Sequence, residues 1–291
     1  MSLLKSLTKY LPKVFTSRVG HVQPLVEIAR KTAVRQQLES ARLATDEVIA
    51  HRALRRHGGD IALESSLRGA RASAALMGVD VDLEFLRSGN LRLDHPGRPI
   101  AQAALRVAQE VPQIEAIWRR SPVQALARLH VVAAADLADS VGTDRIGRPR
   151  PNDEGDPQDP MDLALPPVAD IAPRLMRLNA LLLNDKETPA LALAAYTHGE
   201  LMAIQPFGLR DGLVARAAER LVLRTRGFDP RGLVVTEAGH LSVGRTQYLS
   251  LIKGYAGGSD RAVADWINHC AHAVRTGAAT IEKVCTQFES A

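Results

Sequence analysis

Apolar residues recur at three- and four-residue intervals along most of the chain, and the pattern reads as helix almost throughout. Residues 24–56, PLVEIARKTAVRQQLESARLATDEVIAHRALRR, predict one long helix ended by Gly58 and Gly59. Further helices are expected at about 61–77, 80–88, 99–119 and 122–140, with a turn or short extended segment, SGNLRLDHPGRP, between the second and third. The period then fails over SVGTDRIGRPRPNDEGDPQDPMDLALPP, where Gly, Pro and Asp exclude a helix. So long an irregular stretch reads either as a linker or as a functional loop. Helices resume at about 168–184, 188–204, 211–226, 243–256 and 260–288. With no strand-rich segment, no Rossmann or Walker loop and no internal repeat, the expected fold is mostly α, built from some ten helices.

Composition narrows the class. At 46% hydrophobic but only 4% aromatic, the 291 residues must build their core from Leu, Val, Ile and Ala. Cys270 and Cys285 form no CxxC pair, so a reduced, cytoplasmic protein is the simplest expectation. No apolar run reaches the ~18 residues of a membrane span. The net charge of +5 and a pI near 9.5 favour an acidic partner. The basic residues are scattered among acids and not interleaved with aromatics, which argues against specific nucleic-acid binding. Residues 1–22 form a separate basic leader: Leu3, Leu4, Leu7, Leu11 and Phe15 share a helical face, with Lys5, Lys9 and Lys13 on another. Such a leader can lie on a membrane surface or act in targeting. The plainer reading is a disordered or loosely docked chain end.

Candidate chemistry gathers in HGELMAIQPFGLRDGLVARAAERLVL, residues 198–223. Two helical patterns meet at a break in which Gly208 and Gly212 bracket Leu209, Arg210 and Asp211. The first N–H groups of the second helix lack internal partners and carry partial positive charge. Glycine lets a ligand approach that backbone, so the loop could hold a phosphate, with Arg216 reaching back from one turn inside the helix. Asp211 could cap the helix or hold a metal ion. The alternative is an ordinary capped connection between helices.

The same stretch resembles the signature of the Fic family, HPFxxGNGRxxR, preceded there by a helix of the form aHxxFexIHPF. His198 stands at the first family His, Ile204 at the Ile, Pro206 and Phe207 at the Pro-Phe, Gly212 at the second Gly of GNG and Arg216 at the last Arg. No gap is needed. RAAERLVLRTRGFDP and QYLSLIKGYAGGSDRAVADWINHCAHAV resemble the segments that follow, and GTDRIGRPR with LPPVADIAPRLMRLNALL resembles the flap region and its helix, so the likeness spans roughly residues 100–285. It implies a mostly α, Fic-like helical domain over 99–291 behind an N-terminal helical segment over 23–98. It also implies ATP or another nucleotide with magnesium as ligand, although the sequence itself assigns no cofactor.

The departures bear on the chemistry. The family base that takes a proton from a target hydroxyl is Gln205 here, and an amide cannot do that work. The magnesium-binding acid is Leu209, and the first signature Arg is Leu213. Asp211 is the one carboxylate that a shifted loop could bring to a metal; otherwise no metal site is expected. The resemblance therefore implies a nucleotide- or anion-binding set of Phe207, Gly208, Arg210, Asp211, Gly212 and Arg216 without a catalytic base. Many Fic proteins carry an inhibitory helix whose Glu pairs with the last signature Arg. ESSLRGARAS has a faint likeness to it, with Arg68 at the Glu position, where it would repel Arg216. His130, His198, His269 and His272 read as structural, because no third ligand falls at metal spacing.

Three functions remain open. The first is a Fic-type protein without AMP-transferase activity that acts as a nucleotide- or phosphate-binding or regulatory interaction module, with a nucleotide or a protein as partner. The second is a divergent nucleotidyl- or phosphoryl-transferase using Asp211, Arg210 and Arg216. The third is a purely structural or protein-interaction protein. The sequence does not fix an oligomeric state.

Overall fold

The computed structural model describes residues 22–89, 95–156 and 163–290. The basic leader therefore lies outside the described residues, apart from the backbone of Val22. Among the described residues every regular element is helical: α1 (Val22–Arg30), α2 (Thr32–Ala50), α3 (Leu54–Leu76), α4 (Leu83–Ser88), α5 (Arg98–Glu110), α6 (Glu115–Arg120), α7 (Pro122–Ala133), α8 (Ala138–Val141), α9 (Val168–Asn184), α10 (Ala190–Ile204), α11 (Asp211–Thr225), α12 (Thr236–Ser242), α13 (Arg245–Gly257) and α14 (Asp260–Ser290), with one 3-10 turn at Ala135–Leu137.

The centre is α10. From Leu191 to Ile204 every residue but Tyr196 is buried, and a helix apolar on all sides belongs in the middle of a fold. α11 packs beside it as the returning arm of a hairpin, and it too is buried from Asp211 to Leu223. α13 and α14 cover α10, where Trp266 Nε1 donates to the Ala195 carbonyl at 2.7 Å. α9 is fastened to α10 by a two-bond Arg174–Glu200 ion pair at 2.6 and 2.7 Å. α7, α5, α6 and α3 pack on α11, and α2 lies along α14. One hydrophobic cluster runs from Leu25 to Cys285, so the N-terminal helices share the core of the rest.

The structure corrects several boundaries. The long helix expected over 24–56 is divided at Lys31 and again at 51–53, where Lys31 and His51 take extended ψ values of 132° and 133°. These turns let α1 and α2 both lie on α14. Gly58 and Gly59 do not end a helix but lie inside α3, past a kink at His57. The Arg231 guanidinium rests against Gly58, where a Cβ would sit 2.1 Å from its Nη2 and push that flexible side chain aside. The helix expected over 99–119 stops at Glu110 because Pro112 cannot continue the backbone ladder, and that expected over 122–140 stops at Ala133. α12 was not expected. It packs so closely on α14 that a Cβ on Gly239 would lie 2.0 Å from the Ala273 carbonyl oxygen.

Candidate functional site

The loop from Gln205 to Arg210 joins the two central helices, as expected, and Phe207 anchors it. The Phe207 ring is 4% exposed and stacks on His130 with centroids 4.3 Å apart and planes 5° from parallel. His130 Nδ1 in turn accepts from the Gly147 N–H at 2.9 Å, which ties the irregular segment to the loop. Burial lowers the His130 pKa to about 4, so the ring is neutral. Gln205 and Arg210, at the two ends of the loop, are the non-glycine residues with positive φ among those described, at 41° and 56°. Such backbone costs on the order of 1–3 kcal/mol per residue and persists where the surroundings enforce it. At Gly208, φ is 72° and a Cβ would press on Arg150 Cβ at 3.1 Å, so glycine is required.

Arg150 supplies much of that enforcement. Its backbone N–H donates to the Pro206 carbonyl at 2.8 Å. Its guanidinium is buried and donates to the carbonyls of Gln205 at 3.2 Å, Asn152, and Pro166 at 2.5 Å. One arginine thus stitches the Gly-, Pro- and Asp-rich segment onto the loop. That segment is a structural partner of the site, not a linker.

The loop's backbone donors are occupied by the chain's own carboxylates. Asp211 Oδ1 accepts from the Phe207 N–H at 3.1 Å, and the same carboxyl is bonded by the Gly208 N–H. Asp156 Oδ2 accepts from the Arg210 N–H at 2.9 Å. Asp211 is 2% exposed; burial raises its pKa to about 8, opposed by those two N–H bonds and reinforced by Asp156. It is therefore protonated at neutral pH. The Arg210 guanidinium runs inward to Asp136 Oδ2 at 3.1 Å, and its Nε and Nη1 are buried with no partner among the described residues.

Arg216 is also buried, at 1% exposure, and curls back beside Gly212, where a Cβ would meet its Nη1 at 3.1 Å. It is held by α3: Nε donates to Ser73 Oγ at 2.7 Å and Nη2 to the Ser73 carbonyl at 3.0 Å. Arg68, the residue expected to repel it, pairs with Glu64 at 2.7 Å on its own helix. The Arg216 Nη1 donates to Tyr248 Oη at 3.5 Å and so touches a buried polar chain. Glu219 can only accept, so His198 Nδ1 and His240 Nε2 donate to its Oε2 at 2.8 and 2.9 Å. Tyr248 then donates to His198 Nε2 at 2.8 Å, and His269 Nε2 donates to His240 Nδ1 at 3.0 Å. Burial alone would raise the Glu219 pKa, but His240 and His198 overcome it and hold the carboxylate well below its usual range. Burial lowers the His198 and His269 pKa values to about 4 and about 3.

Two metal arrangements can be tested on this geometry. His198, Glu219 and His240 place three ligand atoms within 4.8 Å of one another, but each is consumed in the hydrogen-bonded chain just described. Magnesium with a nucleotide at the loop would need oxygen ligands. Leu209 and Leu213 offer none, and Asp211 faces the Phe207 and Gly208 N–H groups as a neutral acid. The residues present do not fit that group. His272 is exposed, whereas His269 is buried against His240, and among the described residues the pair belongs to no cluster of metal-ligand atoms.

No protein-family model and no curated protein matches the chain. Solved structures do. A Fic family protein from Desulfovibrio desulfuricans G20 superposes with a TM-score of 0.64 over 86% of this chain and 75% of its own, at 22% identity. The chain has the Fic fold. A fragment of C. elegans Fic-1 agrees at a TM-score of 0.60, 16% identity and coverage of 86% and 73%, and a Glu-to-Gly variant of it at 0.63, 17%, and 94% and 79%. At these identities the Fic fold is what the likeness establishes. Within it, the six residues expected at the nucleotide site do come together around the start of α11. Reading the sequence missed Ser73, Asp136, Arg150 and Asp156. They lie far from the signature, and only the acid-rich composition of the irregular segment hinted at one of them.

Proposed function

We propose that this chain is a Fic-type protein that does not transfer AMP and acts as a regulatory binding module. The observation that carries this reading is the state of the loop. A side-chain amide, Gln205, stands where the family places its base, and the backbone donors that would receive phosphate bond Asp156 and Asp211 instead. A general base typically contributes 10²–10⁴-fold in rate. The residues named as a nucleotide-binding set, Phe207, Gly208, Arg210, Asp211, Gly212 and Arg216, serve in this reading to hold the loop closed. Arg216 is engaged by Ser73 and Tyr248 in the same sense.

A second reading keeps a ligand at the loop. It is favoured by Arg210, whose buried Nε and Nη1 lack a described partner, as an arginine awaiting an anion would. A transfer assay with adenine-labelled ATP and magnesium tests the first reading. The unmodified chain is expected to label neither itself nor a generic protein. Gln205→His alone is expected to restore no more than a trace, because Leu209 and Leu213 still lack metal- and phosphate-binding groups. Transfer by the unmodified chain at the rate of an active Fic enzyme would overturn the proposal.

A further inference from the structure

Beyond the loop, along the far face of α11, lies a cavity of about 260 Å³ enclosed by α3, α5 and α11. Its outer wall is partly exposed at Ala62, Ser66 and Ala108, and its inner end is closed by Ser73 and Leu213. Four arginines line it: Arg216, Arg220, Arg224 and Arg231. Two carboxylates answer them. Glu237 pairs with Arg220 at 3.1 Å, and Glu115 pairs with Arg224 at 2.5 Å. Four positive charges less two negative leave a surplus of two around one cavity.

The surplus is well placed. Arg216 is almost wholly buried, yet its bonds go only to the neutral oxygens of Ser73 and Tyr248. Arg224 spends Nε on Glu115, and its Nη1 and Nη2 bond no acceptor among the described residues. Arg231 has no described ion pair or hydrogen bond, although its guanidinium is seated against Gly58 at the cavity's rim. Burying a cation without an anionic partner is costly, as at Arg216, while the half-buried Arg224 and the exposed Arg231 leave guanidinium N–H groups uncommitted beside the cavity. The rest of the wall is small and apolar: Ala104, Val107 and Ala217 among others.

We propose that this cavity binds a small phosphate monoester, with the phosphate between Arg224 and Arg231 and a short carbon body running inward against the alanine-rich wall. A phosphate monoester carries close to two negative charges near neutral pH, which matches the surplus. The volume lies below the roughly 300–1,000 Å³ of sites for drug-sized ligands, which favours a ligand smaller than a nucleotide. The site is separate from the Gln205–Arg210 loop and stands whether or not the chain transfers AMP.

Calorimetric titration at low salt tests it, using inorganic phosphate and glycerol phosphate as probes and glycerol as the uncharged control. Saturable binding of glycerol phosphate, but not of glycerol, is expected. Arg231→Ala should weaken it about tenfold or more, since a charge-assisted bond is lost. Ser66→Phe should abolish it by filling the mouth. Arg261→Ala, on an exposed face of α14, should leave it unchanged. Arg231 is itself exposed, so its variant is expected to fold even where Ser66→Phe does not. The proposal is overturned if neither anion binds up to about 10 mM, a limit near 3 kcal/mol of affinity. It is equally overturned if Arg231→Ala binds as the parent does, if Arg261→Ala loses as much as Arg231→Ala, or if loss follows Arg210→Ala and not Arg231→Ala, which would put the anion in the loop.

Discussion

Asp211 is the residue on which the site turns. A carboxyl at the start of a helix is ordinarily an ionised cap, but this one is buried over the N–H groups of Phe207 and Gly208, and burial raises its pKa to about 8. A folded-state value above the unfolded one means that the folded chain holds a proton that the unfolded chain releases between about pH 4 and 8. The stabilisation is therefore complete below the unfolded pKa and is lost as the pH rises through the folded one. Asp211→Asn removes the titration and keeps an acceptor oxygen for the two N–H groups. Relative to the parent, its stability in urea unfolding is expected to improve as the pH rises from about 5 to 7, by up to ~1.4 kcal/mol for each pH unit. A difference between the two chains that does not vary with pH would show that Asp211 is ionised in the folded state.

At the scale of the element, packing decides what periodicity cannot. The helices α9, α10, α11, α13 and α14 were legible because each carries a long, uninterrupted apolar pattern. The hairpin of α10 and α11 could also be placed, since Gly208 and Pro206 break the period between them. The division of α1 from α2, and the passage of α3 through Gly58 and Gly59, were not legible. A glycine that ends a helix and a glycine that admits a neighbouring side chain look alike in sequence. The site was legible as a stretch of chain but not as an arrangement. Arg210 and Arg216 can be picked out by their place around the glycines and Gln205 by the resemblance to the Fic signature, whereas the carboxylate of Asp156 and the hydroxyl of Ser73 arrive from 54 and 143 residues away. The two roles of glycine are separable by experiment. Gly239→Val drives a side chain into the Ala273 carbonyl and should cost about 3 kcal/mol or more, or prevent folding. Gly59→Ala, which meets nothing within 4 Å inside α3, should stabilise by about 0.5–1 kcal/mol. Chemical denaturation of both variants checks the pair, and a penalty at Gly59 would place it at a helix end after all.

For the whole molecule, three neutral histidines set the response to acid. His130 and His198, with pKa values of about 4, and His269, at about 3, resist protonation because they are buried; in the unfolded chain they take up protons near pH 6.5. Their folded values are depressed, so folded stability falls as the pH drops from about 6.5 toward 4, by up to ~1.4 kcal/mol per pH unit for each histidine. Asp211 opposes this with one proton against three, and the net expectation is a loss, measurable as a falling urea midpoint. A midpoint constant over that range would contradict the assigned protonation states.

The closed loop is the claim from which the proposed function follows, and backbone amide resonances report on it residue by residue. In a titration with ATP and magnesium, the N–H signals of Phe207, Gly208 and Arg210 are expected to stay where they are, because Asp211 and Asp156 already hold them, while any ligand in the arginine-lined cavity would move Gly69 and Gly232 instead. Saturable shifts of the Gly208, Arg210 and Gly212 amides, abolished in Arg216→Ala, would show an open nucleotide site and contradict the account.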